Sequence, residues 1–235
     1  VPEAAATDLD LGRTRTVGEI FRDSLWLFTR APLLFILLSG VVVVPYRVVA
    51  VLLEHGKSGL SARAELLLLL VGVALIEPCI ATFQVQALLA FGDGQRPDLR
   101  GVVRRGLVVL PPVAAAVIIS AVGITLGLFC FLIPGLLLAI RWAVVAPTAA
   151  VEQVNWPAAL RRSGEVARGN YWRILGLLVG VLLLNDIPAE IIGSGNHLVA
   201  VIVGTVVAIA TQSFATLVVC LLYFDLRARE ARPLR

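Results

Sequence analysis

Apolar residues fall in six blocks along this chain, at about 31–53, 66–91, 108–128, 131–151, 174–193 and 198–224. Each block is long enough to cross a bilayer, which takes roughly 20 residues of helix. The polar residues between them are unevenly placed. Arg13, Arg15, Arg22 and Arg30 precede the first block, and Arg96, Arg100, Arg104 and Arg105 separate the second from the third. Arg161, Arg162, Arg168 and Arg173 separate the fourth from the fifth, and Arg227, Arg229, Arg232 and Arg235 follow the sixth. The other connections hold only Lys57 and Arg63. Sixteen of the 20 basic residues thus lie on one side, which the positive-inside rule makes cytoplasmic. Both termini are expected inside, in an inner or plasma membrane.

A second pattern precedes each odd-numbered span. In "TVGEIFRDSLWLFTR", Thr16 and Glu19 have the spacing of a capping box, and Ile20, Phe21, Leu25 and Phe28 share a helix face. In "PDLRGVVRRGL", Asp98 is a candidate cap, and Leu99, Val102, Val103 and Leu107 recur at helical spacing. In "NWPAALRRSGEVARGNYW", Asn155 is the candidate cap and Pro157 falls in the first turn. Such basic amphipathic helices can lie in the headgroup layer, with arginine toward anionic lipid. Arg22, Arg104, Arg105, Arg161 and Arg162 are the headgroup candidates, and Trp26, Trp156 and Trp172 suit the same depth. The even spans also end alike, in "IATFQVQALLAF", "APTAAVEQV" and "FATLVVCLLYF".

The predicted fold is therefore all-α. It has six transmembrane helices as three hairpins, each preceded by a cytoplasmic interfacial amphipathic helix. A polar tail covers 1–15, and one membrane domain covers 16–228 as pseudo-repeats at about 16–95, 96–154 and 155–228. A basic tail covers 229–235. The first tail lacks the charged-then-apolar order of a signal peptide, so the first span is expected to direct its own insertion.

Composition agrees. Of the 235 residues, 59% are hydrophobic and 15% charged, against about 25% charged in a soluble domain. Mean hydropathy is +0.92. The net charge of +4 follows from cytoplasmic arginine and does not indicate nucleic acid. Cys79, Cys130 and Cys220 lie in separate apolar blocks, without the paired spacing of a disulfide framework or metal knuckle.

Charges inside the spans are the candidate chemistry, because an arginine or aspartate at mid-bilayer costs about 2.5–3.5 kcal/mol on insertion scales. Arg141 stands deep in the fourth span and Glu77 at similar depth in the second. Pro78 removes a backbone donor beside Glu77, so the helix is expected to bend or open there. Two readings follow: a Glu77–Arg141 ion pair that fixes helix register, or a polar site for a headgroup or solute. Arg47, Asp186 and Glu190 form a second set nearer the outer face, either as a shallow salt bridge or as carboxylates at a cavity mouth. Gln84, Gln86, Gln212 and Thr216 read as hydrogen-bonding contacts between helices. Gly176 and Gly180 in "GLLVG" would allow close helix approach.

No Walker loop or HExxH motif occurs, and His55 and His197 have no carboxylate cluster beside them. The chain is thus expected not to be an enzyme, and no cofactor or metal is implied. The expected partners are membrane lipid, other membrane proteins or a second copy of the chain. The functional expectation is a module that binds lipid or assembles with membrane partners. The alternative is a small carrier or lipid transporter working through its intramembrane charges.

At "IPGLLLAIRWAVVAPTAAVE", "ALRRSGEVARGNYWRILG" and "LLYFDLRARE", the sequence resembles the membrane domain found with bacterial glycerophosphoryl diester phosphodiesterases, which also occurs alone. The resemblance runs from Thr16 to Glu230 and is strongest from Pro134 to Gly176. It implies a helical membrane module. It does not carry over phosphodiesterase activity, which in that family belongs to a separate soluble barrel with metal-binding carboxylates and histidines.

Overall fold

The computed structural model describes residues 10–54, 68, 70–95, 97–193 and 198–231. Its elements are helices α1 (Val17–Arg30) and α2 (Pro32–Glu54), a π-helical turn (Gly72–Ile76), α3 (Glu77–Gly92), α4 (Leu99–Cys130), α5 (Leu132–Trp142), α6 (Val145–Glu152), α7 (Trp156–Val166), α8 (Tyr171–Gly193) and α9 (Leu198–Glu230). Among the described residues there is no strand. Five stretches are long and apolar enough to span a membrane, or six if the bent pair α7–α8 is one span. The protein is a helical membrane protein.

Local signals in the sequence set the helix starts. Thr16 Oγ1 accepts from the Glu19 N–H at 3.3 Å, and the Glu19 carboxylate accepts from the Thr16 N–H at 2.7 Å. The backbone bond from Thr16, then its side-chain bond, holds the Glu19 carboxyl below the usual carboxylate range. A carboxyl depressed on folding stabilises at neutral pH, and that stability is lost as pH falls through the depressed value. Thr16→Ala should cost about 1 kcal/mol, a fall of about 2–4 °C in Tm for a chain of this size. Thermal unfolding of Thr16→Ala and Thr16→Ser side by side checks this, since serine should keep the cap. Asp98 caps α4 through the Gly101 N–H at 3.2 Å, and Pro157 occupies the first turn of α7. Asn155 stands at the α7 N-cap position, but its side chain makes no cap bond.

α3 is the centre of the bundle. Some 67% of its membrane-span window is buried, against 28–44% in the other four spans. It lies between two long helices: α9, which also packs on α8, α2 and α1, and α4, which also packs on α5, α6 and α7. A helix buried all round is apolar all round, and its few polar groups must find partners inside. The Gln84 amide does so, donating to Ser213 Oγ at 2.9 Å and Ser39 Oγ at 3.3 Å, while Ser213 donates to the Phe35 carbonyl at 3.1 Å. This ties α2, α3 and α9 together, the interhelical role its sequence position suggests.

Three features depart from the sequence reading. The segment before the third span is not a separate interfacial helix. It runs on within the 32 residues of α4, because Val102, Gly106 and Val109 are buried and Gly106 receives the Phe83 ring of α3. The apolar side of α1 faces protein rather than lipid. Phe21 stacks on Phe214 and fits against Gly180, and Phe28 stacks on Phe35, while Leu25 points outward at 54% exposure. Two residues assigned to the tails belong to the packed body. Arg15 is 2% exposed, and Arg229 continues α9.

Glycines set the closest helix contacts, though Gly176 is not among them. An added Cβ at Gly176 would meet nothing within 4 Å. Backbone comes closest to backbone in the α4–α5 hairpin. A Cβ at Gly135 would come within 2.4 Å of the Leu128 backbone nitrogen, and one at Gly127 within 3.0 Å of Gly135 Cα. Gly123 gives the room in which the Trp142 indole lies against α4. The turn joining α4 to α5 exposes Phe129, Phe131, Leu132 and Ile133. A turn with that surface is suited to hydrocarbon, not to water.

Candidate ligand cavity

The second span opens beside Pro78. Proline has no N–H and its ring crowds the carbonyl four residues back, so the regular α pattern cannot continue. The chain adopts the π-helical turn Gly72–Ile76, in which the Glu77 N–H reaches back to the Gly72 carbonyl. Turns of this kind are frequent at functional sites. Glu77, the first residue after it, is exposed and lines an open cavity of about 340 Å³.

Six helices build this cavity. Glu77 and Ala81 come from α3, and Val117 and Ser120 from α4. Trp142 ends α5, and Val145 and Ala146 begin α6. Leu178 and Val181 come from α8, and Gln212, Ala215, Thr216 and Val219 from α9. Trp142 falls midway along the candidate span Leu132–Glu152, and Ser120 and Gln212 lie ten residues inside theirs. The cavity therefore lies within the apolar stretches of these helices. Its polar lining is Glu77, Ser120, Gln212 and Thr216, with the Trp142 indole beside them. The Ser120 hydroxyl donates to the Val117 carbonyl at 2.8 Å and the Thr216 hydroxyl to the Gln212 carbonyl at 2.9 Å. With their protons committed to the helix, both oxygens present lone pairs. No hydrogen bond or ion pair reaches the Glu77 carboxylate among the described residues.

Glu77 and Arg141 are not brought together. Arg141 is the next-to-last residue of α5, just before the break at Ala143 and Val144 that separates α5 from α6. Its side chain lies over α7, where Gly164 leaves room: a Cβ there would be 2.5 Å from Arg141 Nε. The Ser163 hydroxyl donates to the Arg141 carbonyl at 3.0 Å, fastening α7 to the same break. The expectation of a Glu77–Arg141 pair is therefore corrected, because the break and Gly164 draw Arg141 toward α7 while the π turn aims Glu77 into the cavity. Gln212 and Thr216 both line the cavity, and the Thr216 hydroxyl bonds within its own helix instead of across to another.

Arg47 is exposed on α2 and takes part in no ion pair among the described residues. The side chains of Asp186 and Glu190, like His55 and His197, lie outside the described residues. Of the headgroup candidates, Arg104 and Arg105 are exposed on α4, Arg22 lies 3.6 Å from Asp23, and Arg161 lies 3.7 Å from Glu165. Arg162 differs. Its guanidinium holds Glu230 by two bonds of 2.7 and 2.6 Å and Glu152 by one of 3.2 Å.

That arginine belongs to the first of two charged clusters which sequence reasoning did not find. Glu152 also accepts from the Tyr223 hydroxyl at 2.9 Å. Nearby, Asp225 is fully buried, with Arg173 at 3.0 Å and Arg229 at 3.1 Å, and it accepts the Arg15 N–H. Arg173 and Arg229 both also donate to the Arg15 carbonyl, and the Arg15 side chain reaches Asp23 at 3.0 Å. This second cluster fastens the start of α1, the start of α8 and the end of α9 to one another. One signal was present: Asp225 and Arg229 are four apart, the spacing of a helical ion pair. No protein family, curated protein or solved structure matches this chain.

Proposed function

We propose that this protein is a non-enzymatic integral membrane module whose cavity binds a ligand taken from the membrane or through it. One observation carries this reading: an unpaired carboxylate, Glu77, opens into a cavity within the apolar stretches, between the hairpins. A structural charge within such stretches would be expected to carry a partner within the protein. The arginine-rich end, which holds both described chain ends, faces the cytoplasm of an inner or plasma membrane, as the bias of basic residues supports. The resemblance to phosphodiesterase-associated membrane domains fits such a module and adds no catalytic group. Carrier activity is the second reading. It is favoured by the π turn beside Glu77, since a helix already opened at a binding residue can rearrange there.

Native mass spectrometry of protein extracted gently from its own membrane tests the proposal. The parent should retain a discrete adduct. Ala146→Phe, which fills the cavity, should lose it, whereas Val203→Phe on the exposed side of α9 should keep it. A bare mass for the parent, or an adduct indifferent to Ala146→Phe, would overturn the cavity reading in favour of a scaffold.

A further inference from the structure

We infer that the cavity takes a cation, and specifically an alkylammonium group, with Glu77 as its counter-charge and Trp142 as its aromatic wall. This rests on the cavity-binding reading above and names the chemistry of its ligand. The argument comes from what the lining offers. Glu77 brings a negative charge, while Ser120 and Thr216 have spent their protons on their own helices and can only accept. No lysine or arginine lines the cavity among the described residues, and Arg141, the basic residue nearest in sequence to Trp142, is held over Gly164 instead. A phosphate, sulfate or carboxylate would meet a like charge and have no cationic donor. A neutral apolar ligand would engage neither the Glu77 carboxyl group nor the acceptors beside it, leaving a proton rather than the ligand to neutralise Glu77. A cation satisfies it.

The aromatic ring narrows the class. Trp142 is seated by Gly123, so its indole is held in place at the cavity wall. Indole is the strongest cation–π partner among side chains, and aromatic walls are the usual means of recognising alkylated ammonium. The apolar remainder, including Ala146, Val117 and Leu178, suits methyl or methylene groups better than a hydrated metal ion. A volume of about 340 Å³ is near the lower limit for ligand pockets, so it fits an ammonium head but not a whole lipid. That head could arrive on an amine-bearing lipid, with the chains leaving by the cavity's open side, or on a free solute.

Calorimetric titration of the nanodisc-reconstituted protein with choline and tetraethylammonium tests this, with 3,3-dimethyl-1-butanol as the uncharged isostere of choline and sodium phosphate as the anion. The parent should bind at least one of the two cations saturably and at least tenfold more tightly than the isostere, with no phosphate binding. Glu77→Gln should abolish the preference for charge, Glu77→Asp should retain part of it, and Trp142→Leu should weaken the cation severalfold. Thermal unfolding shows whether each variant is folded, and Trp142→Phe serves if leucine disturbs the hairpin. Failure of both cations to bind, equal binding by Glu77→Gln, or a preference for phosphate would overturn the ammonium assignment. In native spectra, an adduct lost on Ala146→Phe but kept by Glu77→Gln would overturn the ligand class and leave the cavity reading standing. Absence of any adduct in the parent would remove both. With the assignment upheld, the adduct's mass separates the sources: lipid mass means a headgroup, and a small mass means a solute.

Discussion

Asp225→Asn should lower the unfolding temperature of this protein more than any other single charge removal. Asp225 is fully buried and faces Arg173 at 3.0 Å and Arg229 at 3.1 Å. Asparagine keeps the shape and can still accept the Arg15 N–H, but it leaves two guanidinium groups crowded without a counter-charge. Removing one partner of a buried ion pair typically costs about 3–5 kcal/mol. Arg173 and Arg229 are partly exposed, at 17% and 34%, so water screens some of the loss and the lower end, about 3 kcal/mol, is expected. For a chain of this size that is a fall of about 6–12 °C in Tm. Arg229→Met should cost less, because Arg173 still neutralises Asp225. The measurement is thermal unfolding in detergent, followed by intrinsic fluorescence. If Asp225→Asn unfolds within about 2 °C of the parent, the cluster does not hold the helix ends together.

Gly135→Ala should be the most damaging methyl addition. The new Cβ would lie 2.4 Å from the Leu128 nitrogen and 2.6 Å from its Cα and its Cγ, so the backbone itself would have to move. The α4–α5 hairpin would have to open, and overpacking of this kind costs about 1–3 kcal/mol. A second consequence follows from the same hairpin. Trp142 ends α5 and rests in the space left by Gly123 of α4, so opening the hairpin pulls the indole from the cavity wall. Gly135→Ala should therefore lose both stability and the retained adduct. Gly176→Ala is the contrast. Its Cβ meets nothing within 4 Å, and alanine is the better helix former, so Tm should stay level or rise. Equal behaviour of the two variants in thermal unfolding would refute the packing account.

The glycines show how far sequence reasoning reaches in such a chain. Gly176 and Gly180 form an obvious small-residue pair, yet one faces open space and the other receives a ring from α1. Gly127 and Gly135 are no more conspicuous in the sequence, and they set the closest backbone-to-backbone contact. The difference lies in which helix stands opposite, and the spacing of residues within one helix does not contain that. Pro78 was more legible, because its effect is local. A residue without an N–H disrupts the helix around it wherever the helix sits, and the π turn appears directly before it.

The same division runs through the candidate site. Glu77 could be singled out because a carboxylate in an apolar span is costly wherever the span goes. Its surroundings could not be foreseen. Ser120, Trp142, Gln212 and Thr216 join it from helices far along the chain, and the partner chosen for it, Arg141, turned away toward Gly164. Asp225 was overlooked because it sits at the end of a span, where an acidic residue beside arginines resembles an ordinary solvated flank. Its burial depends on Arg15, which lies 210 residues away.

By itself, then, the sequence determined the helical membrane class, the positions of the apolar spans, the capped starts of α1 and α4, and the break beside Glu77. Each of these depends on composition over one or two dozen neighbouring residues, because insertion and helix initiation respond to local hydropathy and local hydrogen bonding. Only the tertiary structure decided that α1 faces protein, that Asp225 gathers arginines from three parts of the chain, and that Glu77 meets a cavity and not an arginine. Apolar helices are nearly interchangeable in hydropathy. What selects their neighbours is the fit of rings such as Phe83 and Trp142 into the gaps left by Gly106 and Gly123, a property of two surfaces together.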